Sequence, residues 1–273
     1  MPIPVTVTVV CKQWLTPHLV RVVGTVSDAF SPNEFTDAYV KLIFPVPGVD
    51  YPEPFDLDTV RAMLGPESQP VLRTYTVRSF DPERREIAID FVVHGDEGIA
   101  GPWARSVEPG AQFWLNGPGG AFTPDPAADW YLFAGDESAL PAIAAAVEAL
   151  PVGAPALVFV EVGGTEDEIA LDSPADLRLH WVHRGVSSDR ITDDLAGAHS
   201  PLVAAVRAAE WLPGQVHAFV HGEAEAVMRQ LRPYLRKERD VAPKWVSISG
   251  YWRRGRTEEG FREWKRELAG EGA

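Results

Sequence analysis

A chain of 273 residues, 45% hydrophobic and 23% charged, is long enough for two ordinary domains that each bury their own core. Its net charge of −14 excludes general affinity for nucleic acid, and its single cysteine, Cys11, excludes an intramolecular disulfide, a Cys-based zinc site and a Cys-ligated iron–sulfur cluster. No apolar run reaches the roughly 18–20 residues of a membrane span, and MPIPVTVTVV lacks the basic flank of a secretion signal, so a cytoplasmic monomer that touches no membrane is expected.

In chain order, VTVTVV, LVRVVGTV and AYVKLIF carry β-branched and aromatic residues between Pro, Asn, Asp and Ser clusters, and read as strands within residues 5–44. Cys11, on this alternation, is a packed thiol. Trp14-Leu15-Thr16-Pro17 reads as a turn, with His18 beside it at the surface. Lys41 either faces a bound anion or is a solvated strand lysine. Residues 45–70, rich in Pro, Asp and Glu, are an excursion with a short helix at DLDTVRAML.

LRTYTVRSF and EIAIDFVV flank the polar turn Asp81-Pro82-Glu83-Arg84 and predict an antiparallel hairpin. Strand alternation puts Arg73 and Tyr75 on one face and Thr76 on the other. A tyrosine ring can cover an isoalloxazine face and an arginine can fork onto phosphate, while a glycine at position 98 lets backbone approach a diphosphate ahead of a helix N-terminus. Taken alone, Arg-x-Tyr-Thr also fits an ordinary strand. The run Gly117-Pro118-Gly119-Gly120 lacks any phosphate-loop pattern and reads as a tight turn closing the first domain, with TPDPAAD as the hinge.

Beyond Asp129 the rhythm alternates: WYLFAG, ALVFVEV, LRLHWV, QVHAFVHG and KWVSISG as strands, ESALPAIAAAVEAL, SPLVAAVRAAEW and EAEAVMRQLRPYLRKER as helices. Such alternation predicts a doubly wound parallel α/β sheet with ligands at the carboxyl ends of its strands. The expected organisation is a β-barrel domain over 1–124 and an α/β domain over 125–273 that ends in an amphipathic helix. Asp136 and Ser138 fall at the first strand end, where a plain helix cap is the competing reading. His217 and His221, four apart without a third ligand nearby, read as structural rather than as a zinc site. No Ser-His-Asp order, HExxH or G-x-S-x-G supports hydrolysis.

Several ordered segments together resemble the siderophore-interacting protein family, flavin-dependent ferric-siderophore reductases of the ferredoxin-reductase-like superfamily. They are YVKLIFP, RTYTVRSF, DFVVHGDEGIAGPWA, GPGGAF, DWYLFAGDESALPAI, the WVHRG run and GYWRRGR. The resemblance implies that Arg73, Tyr75 and Thr76 hold the flavin of FAD, and that Asp90, Val92, His94, Gly98, Ala100 and Trp103 hold the rest of it. It places Asp136 and Ser138 at the flavin or nicotinamide end and offers Arg184, with His183 and Arg190, to the 2′-phosphate of NADPH, in preference to NADH. Trp252 or its neighbour Tyr251 would cap the ring, with Lys41, Arg253 and Arg254 facing a ferric siderophore. The chain departs from the family pattern at Gly101, often Ser, and at Gly119, often basic. The implied activity carries electrons from NAD(P)H through FAD to chelated Fe(III); no side chain reacts covalently or ligates iron. The alternatives are an electron transferase serving a ferredoxin-type partner and a non-catalytic siderophore carrier.

Overall fold

The computed structural model describes residues 4–52, 55–96, 98–256 and 260–261. The chain divides into two units, Met1–Thr123 and Pro124–Ala273. The first is a closed antiparallel barrel of six strands: β1 (Val5–Thr16), β2 (Leu19–Val26), β3 (Tyr39–Phe44), β4 (Val71–Asp81), β5 (Glu86–Val92) and β6 (Gln112–Gly119), in the order β1-β2-β5-β4-β3-β6. Alternation fills it. Val5, Val7, Val9, Val20, Val22, Val40, Leu42, Ile87, Ile89, Phe91 and Leu115 turn inward to one core, and closure leaves no open edge to pair with another chain.

Three local expectations change. Cys11 is exposed, because the β1–β2 pairing slips between Val9 and Cys11 and the bulge carries Val10 and Cys11 out of the alternation. The turn expected at 14–17 moves to Pro17-His18, since β1 runs on until Thr16 pairs with Leu19. The Gly-Pro-Gly-Gly run is not a turn up to Gly119, which is the last residue of β6 and pairs with Tyr39. A Cβ at position 119 would lie 2.5 Å from Tyr39 Cζ, so the aromatic ring occupies the room that a side chain there would need.

The 45–70 excursion packs down rather than wandering. Its helix α1 (Leu57–Met63) is capped by Asp56, which accepts the Thr59 N–H at 2.8 Å, and Phe55 stacks on Trp114 of β6 with centroids 4.7 Å apart. A second short helix, α2 (Ala100–Ser106), follows β5.

The second unit holds five parallel strands, β7 (Trp130–Asp136), β8 (Pro155–Val162), β9 (Asp176–His183), β10 (Val216–Glu223) and β11 (Val246–Trp252), in the order β11-β10-β7-β8-β9. Helix α3 (Leu140–Glu148) crosses so close to β7 that a Cβ on Gly135 would sit 3.0 Å from Ile143 Cδ1. Helix α4 (Pro201–Ala208) and the π-type segments α5 (Glu225–Leu231) and α6 (Tyr234–Glu238) share a core with Trp130, Leu132, Ala134, Leu157, Phe159 and Ala218. The antiparallel barrel followed by a doubly wound parallel sheet is therefore the architecture expected from the sequence. The amphipathic terminal helix lies outside the described residues, apart from Gly260 and Phe261. No described helix is long and apolar enough to cross a membrane.

Candidate functional site

In the barrel, register fixes which way the Arg-x-Tyr-Thr strand faces. Arg73 pairs with Leu42 and Tyr75 with Val40, two residues of the core, so both lie on the inward side of β4, while Thr76 pairs with Tyr39 on the other. The Tyr75 ring packs on Phe91 with centroids 4.5 Å apart and stays half-buried, and Arg73 Nη1 donates to the Leu72 carbonyl at 3.0 Å. Lys41 is exposed on β3 and pairs across the sheet with Thr74 on one side and Asn116 on the other.

The DFVVH segment sorts into closed and open groups. Asp90 is closed: both carboxylate oxygens accept from Arg21, directly across the strand pair, at 2.6 and 2.8 Å, and its side chain is 1% exposed. This correction follows from pairing chemistry, because a carboxylate buried in a sheet must be matched by a cation. Trp103 is also taken, its ring wedged among Phe44, Phe91 and Phe113 at centroid distances of 5.0–5.6 Å. Ala100 is buried as the first residue of α2, and Val92 is half-buried at the end of β5.

His94 and Gly98 differ. His94 Nδ1 is buried, with no hydrogen-bond partner among the described residues. Gly98 adopts φ +83° with no described atom within 4 Å of where a Cβ would stand, a backbone shape that costs other residues and leaves space over the loop. Asn116 Oδ1, opposite Lys41, is likewise buried without a partner among the described residues. Native proteins seldom leave such atoms unsatisfied. Arg73 and the half-buried Tyr75 on the inward face of β4, with the unmatched His94 Nδ1 and the open glycine at 98 beyond β5, are the kinds of group that a flat ring with polar edges, such as FAD, requires; Asn116, paired with Lys41, lies on the opposite face from Arg73 and Tyr75. Asn116 was not singled out by the sequence because no motif marks it; only its register against Lys41 does. At Gly101 a Cβ would meet the Val92 carbonyl oxygen at 3.3 Å, so a serine there would require that carbonyl to give way slightly.

In the second unit the strand ends converge on Asp136. One carboxylate oxygen accepts from the N–H (2.9 Å) and Oγ of Ser138; the other accepts the Glu223 N–H and Trp252 Nε1–H, both at 2.8 Å. Asp136 thus ties β7 to the ends of β10 and β11, and it does not cap α3, whose N-cap is Ala139 without a side-chain bond. Glu223 continues the chain of contacts. It accepts the Glu225 and Ala226 N–H groups at 2.8 and 2.9 Å, and Arg253 Nη1 at 3.0 Å. Arg253 also reaches Glu225, and Arg254 reaches Asp193 and the Ile191 carbonyl.

Arg184 stands apart from what its sequence position suggests. Its side chain is 0% exposed, with Nη1 donating to Glu137 and Glu161, both at 3.1 Å, and Nη2 to Glu137. A guanidinium enclosed by two carboxylates is closed to a 2′-phosphate. His183 is engaged too, with Glu168 at 2.7 Å, which leaves Arg190 as an exposed cation of that stretch. Glu161 also accepts Ser200 Oγ–H and Leu202 N–H at 2.8 Å, pinning the start of α4.

Burial pushes the Glu137 carboxyl up to about 7, against the pull of Arg184. It raises Glu161 too, while for Arg184 burial is outweighed by the two carboxylates, which hold its charge. The folded protein therefore takes up a proton on Glu137 between about 4.5 and about 7 that the unfolded chain does not hold. This group's contribution to stability is full below that window and lost as pH rises through it. Wild type is expected to lose more stability than Glu137→Gln between about pH 5 and about pH 8, measured by urea unfolding; equal losses would contradict the assignment.

His217 Nδ1 accepts the Asp125 N–H at 3.0 Å, and burial holds its imidazole below the usual range, so the neutral ring carries its proton on Nε2. His221 Nε2 meets Ser247 Oγ at 3.0 Å. Among the described residues, no three His, Cys, Asp or Glu side chains gather as a metal site.

Comparison with known proteins matches both units. Residues 8–122 fit the family model of the siderophore-interacting FAD-binding domain, and residues 128–255 that of the siderophore-interacting protein. The chain is 55% identical over 267 residues to the uncharacterized protein Rv2895c of Mycobacterium tuberculosis, covering 96% of this chain and 94% of that one. It is 35% identical over 258 residues to the ferric vibriobactin reductase ViuB of Vibrio cholerae, covering 92% and 90%. The crystal structure of the siderophore-interacting protein SipS from Aeromonas hydrophila superposes with a TM-score of 0.78 at 31% identity, over 97% of this chain and 98% of that one.

Proposed function

The chain belongs to the siderophore-interacting protein family, and from that premise we propose that it is a ferric-siderophore reductase, passing electrons from NAD(P)H through FAD to Fe(III) held in its chelate. The observation that carries this reading is the pairing of an FAD-binding barrel containing unmatched buried polar atoms with a unit of the siderophore-interacting type. Bound FAD supplies the redox chemistry, accepting a hydride and giving up its electrons singly. The protein's part is to bind and orient. Arg73 offers a forked cation to the diphosphate, Tyr75 its ring to the isoalloxazine, and Thr76 a hydroxyl; His94 Nδ1 and the backbone at Gly98 meet the remaining polar edges. Fe(II) is held less tightly than Fe(III) by hard oxygen ligands, so reduction releases the metal without any protein ligand to iron.

The test is anaerobic. Holoprotein with NADPH or NADH should lose its flavin absorbance, regain it on adding a ferric chelate, and deliver Fe(II) to a ferrous-specific dye. Flavin that is reduced but never reoxidised by any ferric chelate would defeat the reading. A ferredoxin-type donor is the second reading, favoured by the enclosure of Arg184; flavin inert to both nicotinamides but reduced by a ferredoxin would select it. If NADPH is the donor, Arg190→Ala should raise its KM about fivefold and leave that for NADH unchanged, as loss of one exposed charge contact implies. An equal rise for both would remove Arg190 from the donor site.

A further inference from the structure

Residues 232–244, which run from the end of α5 to just before β11, are basic within an acidic chain. They carry five cations, Arg232, Arg236, Lys237, Arg239 and Lys244, against two carboxylates, Glu238 and Asp240, while the chain as a whole carries −14. Of the charges that α4 brings alongside, Arg207 already holds Glu238 at 2.7 Å, and Glu210, just beyond the helix, turns to Arg178 of β9 at 3.9 Å. Among the described residues, none of the five cations enters an ion pair.

Where these cations have partners, the partners are neutral. Arg236 Nη1 donates to the Val241 carbonyl at 2.5 Å. Arg239 Nε donates to Tyr234 Oη at 2.8 Å, and its guanidinium lies 4.8 Å from the Trp211 ring centroid. Lys244 Nζ lies 5.3 Å from that of Trp245, and Arg232 and Lys237 stand exposed beside them. A carbonyl or a ring fixes a cation in place without cancelling its charge. Arg236 and Arg239 are therefore ordered before anything binds, which spares part of the entropy that long side chains lose at an interface. Arginine beside tryptophan and tyrosine is also the composition that dominates binding energy where proteins meet.

A membrane surface and a nucleic acid fit these residues less well. Membrane-surface patches pair their cations with exposed apolar side chains that enter the lipid. Among the described residues the large exposed hydrophobics are Val10, Trp14, Tyr39, Met63, Ile99 and Val152, none of them in this segment. Nucleic acid requires a basic track that neutralises a run of phosphates, which the net charge of the chain opposes.

We propose that residues 232–244 form a docking surface for a partner protein that presents clustered carboxylates. Arg232, Arg236 and Lys237 supply the charge, and Arg239, held on its aromatic rings, supplies a rigid edge. The surface lies within the second unit and stands whether or not the protein reduces ferric chelates.

Poly-L-glutamate serves as the carboxylate-rich probe, added to the FAD-loaded, isotopically labelled full chain and followed by amide resonances. At low salt it should shift the amides of residues 232–244 and the indole N–H signals of Trp211 and Trp245. Its affinity should fall at least about tenfold on going to physiological salt. The double variant Arg232→Glu, Lys237→Glu should weaken the probe about tenfold or more. Arg84→Glu, on the barrel hairpin at a side chain 74% exposed, should leave it unchanged. Vesicles of phosphatidylcholine with phosphatidylglycerol, and a DNA duplex, form the other arms.

The proposal is overturned by shifts centred elsewhere, by equal binding to wild type and the double variant, or by no binding of the probe at low salt. It is also overturned if wild type cosediments with the anionic vesicles or retains the duplex and the double variant does not, since the surface would then belong to a lipid or nucleic-acid partner.

Discussion

Tyr75→Ala should release most of the flavin. Loss of a ring covering one isoalloxazine face removes apolar contact and stacking worth about 2–3 kcal/mol, or roughly 30- to 150-fold in the dissociation constant for FAD. The same ring packs on Phe91 at 4.5 Å, so the substitution also thins the barrel core. Tyr75→Phe separates the two effects, since it keeps the ring in both places and should retain flavin within about threefold. Flavin titration by fluorescence quenching measures both variants. Unchanged retention in Tyr75→Ala would take Tyr75 out of the cofactor site.

The largest loss of stability is expected from Arg184→Leu. The substitution leaves Glu137 and Glu161 buried without their cation, a change that typically costs about 3–5 kcal/mol. Because the stranded carboxyls can be protonated, the penalty should shrink as pH falls, and Glu137→Gln added to Arg184→Leu should recover part of it at neutral pH. Urea unfolding monitored in the far ultraviolet reads the effect. A loss below about 1 kcal/mol would mean that the enclosed cluster does not hold the second unit together.

What could be read in the sequence was whatever a short stretch specifies by itself. The alternation of LRTYTVRSF and EIAIDFVV, broken by a turn at 81–84, fixes a hairpin. Asp81 then accepts the Glu83 and Arg84 N–H groups, as such a turn requires. The change from strand runs to alternating strands and helices after Asp129 fixes the parallel sheet. Pairings between distant residues were not legible. Asp90 is polar and lies beside the resembling motif, yet it is matched by Arg21, 69 residues away. Arg184 looked available because Glu137 and Glu161 reach it only through the packing of adjacent strand ends, 47 and 23 residues distant in the chain. Arg253 and Arg254 looked like a basic patch for the same reason. In each case one charged group was visible in the sequence and its partner of opposite charge appeared only with the fold. Cys11 was misread at a shorter range, since one slipped residue in a strand pair reverses inside and outside.

The meeting of three strand ends on Asp136 has a consequence for how the second unit moves. A backbone amide of the β10 end, the indole N–H of β11 and the turn after β7 all depend on one carboxylate. None can open to water without weakening the hold on the others. The carboxyl edge of the central sheet should therefore breathe as a single cooperative element, its amide protons exchanging with solvent at a common rate instead of fraying strand by strand.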